Sequence, residues 1–223
     1  MNRAQRLEFF RRLQEANPEP TTELRYDSPF QLLVAVILSA QTTDRAVNKA
    51  TEALFRDAPT AAAMAELGEE GIADYIRSIG LYHSKARHLA ATCAVLRDQY
   101  GGAVPRERAA LEALPGVGRK TANVVLNTIF GEPTIAVDTH LFRVANRCGL
   151  APGKTPRAVE DALLKAVPAE YRRHAHHWLI LHGRYTCTAR RPACARCPVA
   201  DLCRWPDKSA ARAGAAAAKQ APR

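Results

Sequence analysis

Leu114-Pro115-Gly116-Val117-Gly118-Arg119-Lys120-Thr121-Ala122 is the stretch that decides how this chain is built. Helical patterns flank it on both sides. Pro115 ends the first, because its ring removes an amide donor and crowds the preceding turn. Gly116 and Gly118 permit positive φ and a close approach of backbone to a ligand. The second helix then opens with amides that have no acceptor inside it. Those amides and the positive end of the helix dipole favour an anion, so the turn predicts a phosphate site. Two glycines alone would fit any tight turn between helices. The ordered Pro-Gly-Val-Gly-Arg-Lys string ahead of an amphipathic helix is more specific.

Outward from this turn nearly every segment reads helical. Strictly alternating β-branched runs are missing, while Ala, Leu, Arg and Glu abound. Asn2 to Ala16 places Leu7, Phe10 and Leu13 near one face and stops at Asn17-Pro18. Ser28 is an N-cap with Pro29 at the first position of a helix to about Ser39, apolar nearly all round and therefore central and buried. Thr43 to Phe55, Thr60 to Leu67, Gly71 to Ser78 and His83 to Tyr100 follow. Leu111 to Leu114 closes one helix, and Gly118 to Phe130, Asp138 to Cys148, Thr155 to Ala166 and Tyr171 to His182 complete the set. Short turns between helices predict an all-α protein.

Lys and Arg outnumber Asp and Glu by 32 to 22. A basic balance of this size suits a polyanion, because each neutralised phosphate releases condensed counterions; a generic basic surface has the same composition. The most apolar run, Phe30 to Ala40, has 11 residues, and a membrane span needs about 20. Met1 to Arg12 is charged throughout, unlike a secretory signal. The expectation is a cytoplasmic protein, nucleoid-associated if bacterial, without membrane contact. From residue 207 to 223 the chain is rich in Lys, Ala and Arg and reads as a basic disordered tail.

Four of the six cysteines crowd into Cys187, Cys194, Cys197 and Cys203, spaced C-x6-C-x2-C-x5-C. Such crowding without a signal peptide predicts metal binding rather than disulfides. Structural zinc is the simplest occupant, although only Cys194-Cys197 forms the short pair that zinc commonly uses. Cys93 and Cys148 lie alone in helical patterns and read as small buried hydrophobes.

The hairpin string resembles the helix–hairpin–helix of the endonuclease III family of DNA glycosylases. Leu38-Ser39-Ala40-Gln41-Thr42-Thr43-Asp44, Gly80-Leu81-Tyr82-His83-Ser84-Lys85-Ala86, Val137-Asp138-Thr139-His140 and the cysteine tail resemble that family too, in its order and at its spacing. The likeness runs from about Ser28 to Cys203. It implies two helical domains with a cleft between them. One is a six-helix domain, residues 21–133, holding the hairpin; the other combines residues 1–20 with 134–206 and carries the cluster loop 187–203. It also implies a [4Fe–4S] cluster on the four cysteines, ahead of zinc.

Lys120 stands where the helix dipole and nearby arginines disfavour another positive charge, which favours a neutral, nucleophilic amine. The residues alone favour a plain phosphate contact. The resemblance makes Lys120 the catalytic lysine, forming a Schiff base at C1′, and Asp138 the second catalytic residue. By itself Asp138 reads as a helix N-cap. It also makes Gln41 and Leu81 wedge residues, with His83 and Lys85 flanking, and sets Pro115, Gly116, Val117, Gly118, Arg119 and Thr121 against DNA. His140 is a candidate for the pocket wall. Adenine-mismatch glycosylases of similar fold use a glutamate on the early buried helix and lack the lysine; Phe30 to Gln41 contains no carboxylate.

The implied activity is base excision repair: release of oxidised or ring-damaged pyrimidines from duplex DNA, then AP lyase cleavage 3′ to the abasic site by β-elimination. The implied partner is double-stranded DNA with a damaged base or abasic site, met by a monomer. A non-catalytic DNA clamp, a monofunctional glycosylase and a redox sensor are the alternatives.

Overall fold

The computed structural model describes residues 1–208; the stretch read as a basic tail lies, from residue 209 on, outside the described residues. Ten α-helices and no strand make up the described residues. Contacts divide the chain into two compact units: Thr22–Glu132, continuous in sequence, and Met1–Thr21 together with the chain from Pro133 onward.

The continuous unit is organised around α2 (Pro29–Leu38), in which every residue from Phe30 to Leu38 is buried. Ser28 accepts a hydrogen bond from the Gln31 amide and Pro29 opens the first turn, so the start is set locally. Around it lie α3 (Asp44–Asp57), α4 (Ala61–Ile76), α5 (Tyr82–Tyr100), α6 (Arg108–Glu112) and α7 (Arg119–Phe130). One apolar core joins them, with Leu32, Leu33, Leu54, Ile72, Leu89 and Leu96 fully buried. Truncating any of these leucines to alanine costs about 2–5 kcal/mol.

Two boundaries differ from the sequence reading. The break expected between Thr60 to Leu67 and Gly71 to Ser78 is present, since α4 is interrupted at Gly68, whose φ of 64° and ψ of −176° are not helical; the part after it ends at Ile76 rather than Ser78. The helix end expected at Leu111 to Leu114 is α6, which stops at Glu112; Leu114 already belongs to the turn.

The second unit packs α1 (Arg3–Ala16), α8 (Thr139–Cys148), α9 (Pro156–Ala166) and α10 (Arg172–Tyr185) around Phe9, Phe10, Leu141, Leu163 and Leu179. Asn2 and Gln5 form a reciprocal capping box at the head of α1. The Trp178 indole donates to the Asn17 carbonyl at 2.8 Å, and Arg12 reaches the Pro198 carbonyl and Asp201. Those bonds fasten the first helix to the last part of the fold. Cys93 and Cys148 are buried, and burial pushes the Cys93 thiol up to about 12.

Candidate active site

The turn between α6 and α7 is built from the inside out. Leu114 and Val117 are buried, and the Val117 amide donates to the Leu114 carbonyl at 3.0 Å. Thr92 of α5 donates its hydroxyl to the Pro115 carbonyl at 2.7 Å. Gly116 has φ +77°, and a Cβ there would stand 2.9 Å from the His88 Cβ. Gly118 caps α7 in extended conformation, with no side-chain capping hydrogen bond. Gly116, Gly118 and Lys120 are exposed, while Pro115, Arg119 and Thr121 are half-buried. The first amides of α7 therefore lie behind a backbone without side-chain bulk, the surroundings a phosphate needs. Arg119 also approaches Glu112 at 4.0 Å, which holds its guanidinium beside the turn. Lys120 occupies the first turn of α7.

Gln41 and Leu81 are the only non-glycine residues with positive φ among the described residues, at 54° and 60°. For an L-residue that conformation costs roughly 1–2 kcal/mol, so the surrounding structure must enforce it. Leu81 is also 63% exposed, an apolar side chain standing in water at the N-terminus of α5. Strain and exposure in one leucine suit a residue kept ready to insert into something. His83 is exposed, with its ring centroid 4.0 Å from that of Tyr82.

Lys85 is placed differently from a flanking phosphate contact. It is buried, and its Nζ donates to the Thr42 hydroxyl at 2.6 Å. Burial lowers its pKa from the ordinary lysine value. Its amide donates to the Leu81 carbonyl at 3.0 Å.

Asp138 caps α8: its Oδ1 accepts from the amides of His140 and Leu141, each at 2.8 Å. The carboxylate is half-buried and fixed by these bonds. Asp138 belongs to the unit that continues from Pro133, Lys120 to the unit Thr22–Glu132. The His140 Nδ1 lies 3.2 Å from Arg143 Nη2, and its Cβ packs where a Cβ on Gly183 would clash.

Cys187, Cys194, Cys197 and Cys203 line one pocket with Arg147, His182, Trp205 and Lys208. Among the described residues, no three Cys, His, Asp or Glu side chains converge as ligands of a single metal ion. Zinc requires thiolates about 2.3 Å from one point. Four thiols set around a pocket fit a body with its own volume, as an iron–sulfur cluster is. Two arginines of α8 hold the first strand of this loop. Arg143 donates to the carbonyls of Cys187 (2.9 Å) and Gly183 (2.8 Å). Arg147 donates to those of Thr188 (2.7 Å) and Ala189 (2.8 Å), and its guanidinium lies 4.5 Å from the Trp205 ring centre. Of the arginines around the loop, Arg190, Arg191, Arg196 and Arg204 are exposed and Arg184 is half-buried.

Sequence reasoning missed Thr42, Thr92, Arg143 and Arg147 as parts of this machinery. The two arginines carried a signal, since spacing of four on a helix puts both on one face. The threonines carried none, because their partners lie far along the chain.

A family model described as HhH-GPD superfamily base excision DNA repair protein matches residues 34–169. The iron–sulfur binding domain of endonuclease III matches residues 187–203. Endonuclease III of Escherichia coli (strain K12) is 63% identical over 93% of this chain and 99% of its own length. Endonuclease III of Haemophilus influenzae is 59% identical over the same shares. A trapped endonuclease III–DNA covalent intermediate superposes with a TM-score of 0.87 at 44% identity, covering 94% of this chain and 99% of that one. A thermostable thymine-DNA glycosylase superposes with a TM-score of 0.80 at 26% identity, over 92% and 98%.

Proposed function

Because this chain belongs to the endonuclease III family of the HhH-GPD base excision repair superfamily, we propose that Lys120 is its nucleophile and Asp138 the carboxylate that works with it. The protein is a DNA N-glycosylase and AP lyase that acts on duplex DNA and carries a [4Fe–4S] cluster. The observation that carries the assignment of Lys120 is its exposed position in the first turn of α7, directly behind the Gly116–Gly118 backbone.

The hairpin backbone and the start of α7 grip a phosphate, which brings a sugar beside Lys120. The neutral amine attacks C1′ and the damaged base departs with the electrons of the glycosidic bond. Loss of the ring oxygen from C1′ opens the sugar to a protonated Schiff base. Removal of a C2′ proton then expels the 3′ phosphate. Asp138, held by two amides, stabilises positive charge on the sugar and relays protons. Gln41 hydrogen-bonds the base left without a partner, and Leu81 fills the space vacated by the extruded nucleotide. The relative trapped as a covalent DNA intermediate supports this reading. The preferred lesions are oxidised or ring-damaged pyrimidines. The protein works as a monomer in the cytoplasm, its net charge of +10 drawing it to DNA.

A bound cluster would anchor the loop 187–203, and the sugar chemistry needs no electron from it. Cys187, Cys194, Cys197 and Cys203 would hold it. Arg143 and Arg147 position the Cys187 end of that loop.

Borohydride trapping on duplex DNA with one abasic site tests the assignment. Wild type should give a covalent adduct and Lys120→Ala none. An undiminished adduct with Lys120→Ala, or tight binding with no adduct from either protein, refutes it.

A further inference from the structure

The residues of α5 that face the two DNA-contacting turns fall on one stripe. Leu81 stands at its head, then Lys85, His88 and Thr92 follow at spacings of four, three and four. Each makes a contact the reaction needs no part of. Lys85 holds the Leu81 carbonyl with its amide and the Thr42 hydroxyl with its ammonium. His88 packs against Gly116 so closely that no Cβ fits there, and Thr92 holds the Pro115 carbonyl.

The Lys85 amide bond is the one any residue at the first turn of α5 would make, so the side chain's own contribution is to tie the Gln41 turn, through Thr42, to the helix end that carries Leu81. Leu81 has φ 60°, and Thr42 directly follows Gln41, which has φ 54°. Strained conformations relax unless their surroundings over-determine them. Burying an ammonium is unfavourable, and an apolar side chain of like length would pack there at less cost. The charge is thus retained for what it holds.

We propose that Lys85 is a positioning residue: it locks the Gln41 and Leu81 turns to one another, while Thr92 on the same face of α5 locks the phosphate-binding hairpin, so that wedge and hairpin meet the duplex at a fixed separation. Lys85 then acts on DNA only through the wedge, with no phosphate of its own. This inference rests on the reading of Gln41 and Leu81 as the wedge.

The test compares single-turnover nicking at an abasic site in paired duplex with the same site in a single strand, where no gap has to be filled. Lys85→Met and Thr42→Val each remove the bond, and Lys85→Arg keeps a donor. Expected are losses of about tenfold on the paired duplex with little loss on the single strand, no further loss in the double variant, and recovery in Lys85→Arg. A 2-aminopurine opposite the site should brighten less in Lys85→Met than in wild type. Equal losses on both substrates, additive losses in the double variant, or no loss at all overturn the proposal. Thr42→Val guards against misfolding, since it alters one hydroxyl. Leu81→Gly separates the two readings. If it shows no preference for duplex, the wedge assignment falls and the positioning role with it. If it does and Lys85→Met does not, only the positioning role falls.

Discussion

Alanine at Gly116 and alanine at Gly118 should fail in opposite ways. At 116 the backbone has φ +77°, and the added Cβ meets the His88 Cβ at 2.9 Å and its Cγ at 3.1 Å. The left-handed conformation costs an alanine about 1–2 kcal/mol. The contact adds about 1–3 kcal/mol of overpacking, because a Cβ fixed to a long helix cannot swing aside. Alanine also restricts the unfolded chain, which returns about 0.4–1 kcal/mol. A net loss of about 1–5 kcal/mol follows, with its centre near 3. At 118 the φ is −96°, and nothing lies within 4 Å of an added Cβ. Alanine at that N-cap costs about 0.5–1 kcal/mol, offset by the same chain restriction, so stability should hold. Its methyl instead stands over the first amides of α7 and keeps a phosphate away, weakening binding about tenfold or more, or about 1.4 kcal/mol. Urea unfolding followed by circular dichroism reads the first effect. Anisotropy with duplex carrying a reduced abasic site reads the second. Unchanged affinity in Gly118→Ala would refute the phosphate site, and wild-type stability in Gly116→Ala would refute the packing against His88.

Leu81→Gly removes a side chain that is 63% exposed; burying that share in DNA is worth about 1–2 kcal/mol, so duplex affinity should fall roughly 5–30-fold, with thermal unfolding barely moved because strain leaves along with contacts. Arg147→Gln removes the donors that hold Thr188 and Ala189, and should release iron faster to a chelator, read as iron content and visible absorbance over time; an unchanged rate contradicts the clamp. Burial lowers the His177 pKa to about 4 from 6.5. The folded state is then the poorer proton binder between those values, so its contribution is complete above pH 6.5 and is lost as pH falls toward 4, by up to about 3 kcal/mol. His177→Phe should flatten that stability profile, and an identical slope would show that other groups set it.

Much of the helical framework was legible because its signals are local. Ser28 with Pro29, Thr43, Thr60 and Thr155 mark helix starts by the hydrogen bonds their hydroxyls accept, and such bonds involve residues only three apart. The glycine turn was legible for the same reason. The break at Gly68 falls in the gap between the helices expected at Thr60 to Leu67 and Gly71 to Ser78, at a glycine that takes its positive φ without steric cost. The positive φ of Gln41 and Leu81 had no local signal, as neither is the glycine or asparagine that such a backbone invites. The contact that reaches this region, from the Lys85 ammonium to the Thr42 hydroxyl, spans 43 positions. Lysine also predisposes a reader to a solvent-facing charge, and only packing shows it turned inward. The pocket around the four cysteines was legible as a composition, but its fastening by Arg143 and Arg147 came from helix-to-loop geometry.

The bond between Trp178 and Asn17 spans 161 positions, and this has a consequence for how the protein is made. A ribosome releases α1 first and its packing partners last. At about 5–20 residues per second, α1 waits about 10–30 s for them. During that interval Phe9, Phe10 and Leu13 have no partner to cover them, while the continuous unit Thr22–Glu132 is already complete and free to fold. The nascent chain thus carries a finished half and an unfinished one, and the unfinished half keeps apolar surface in water until the cysteine loop has emerged.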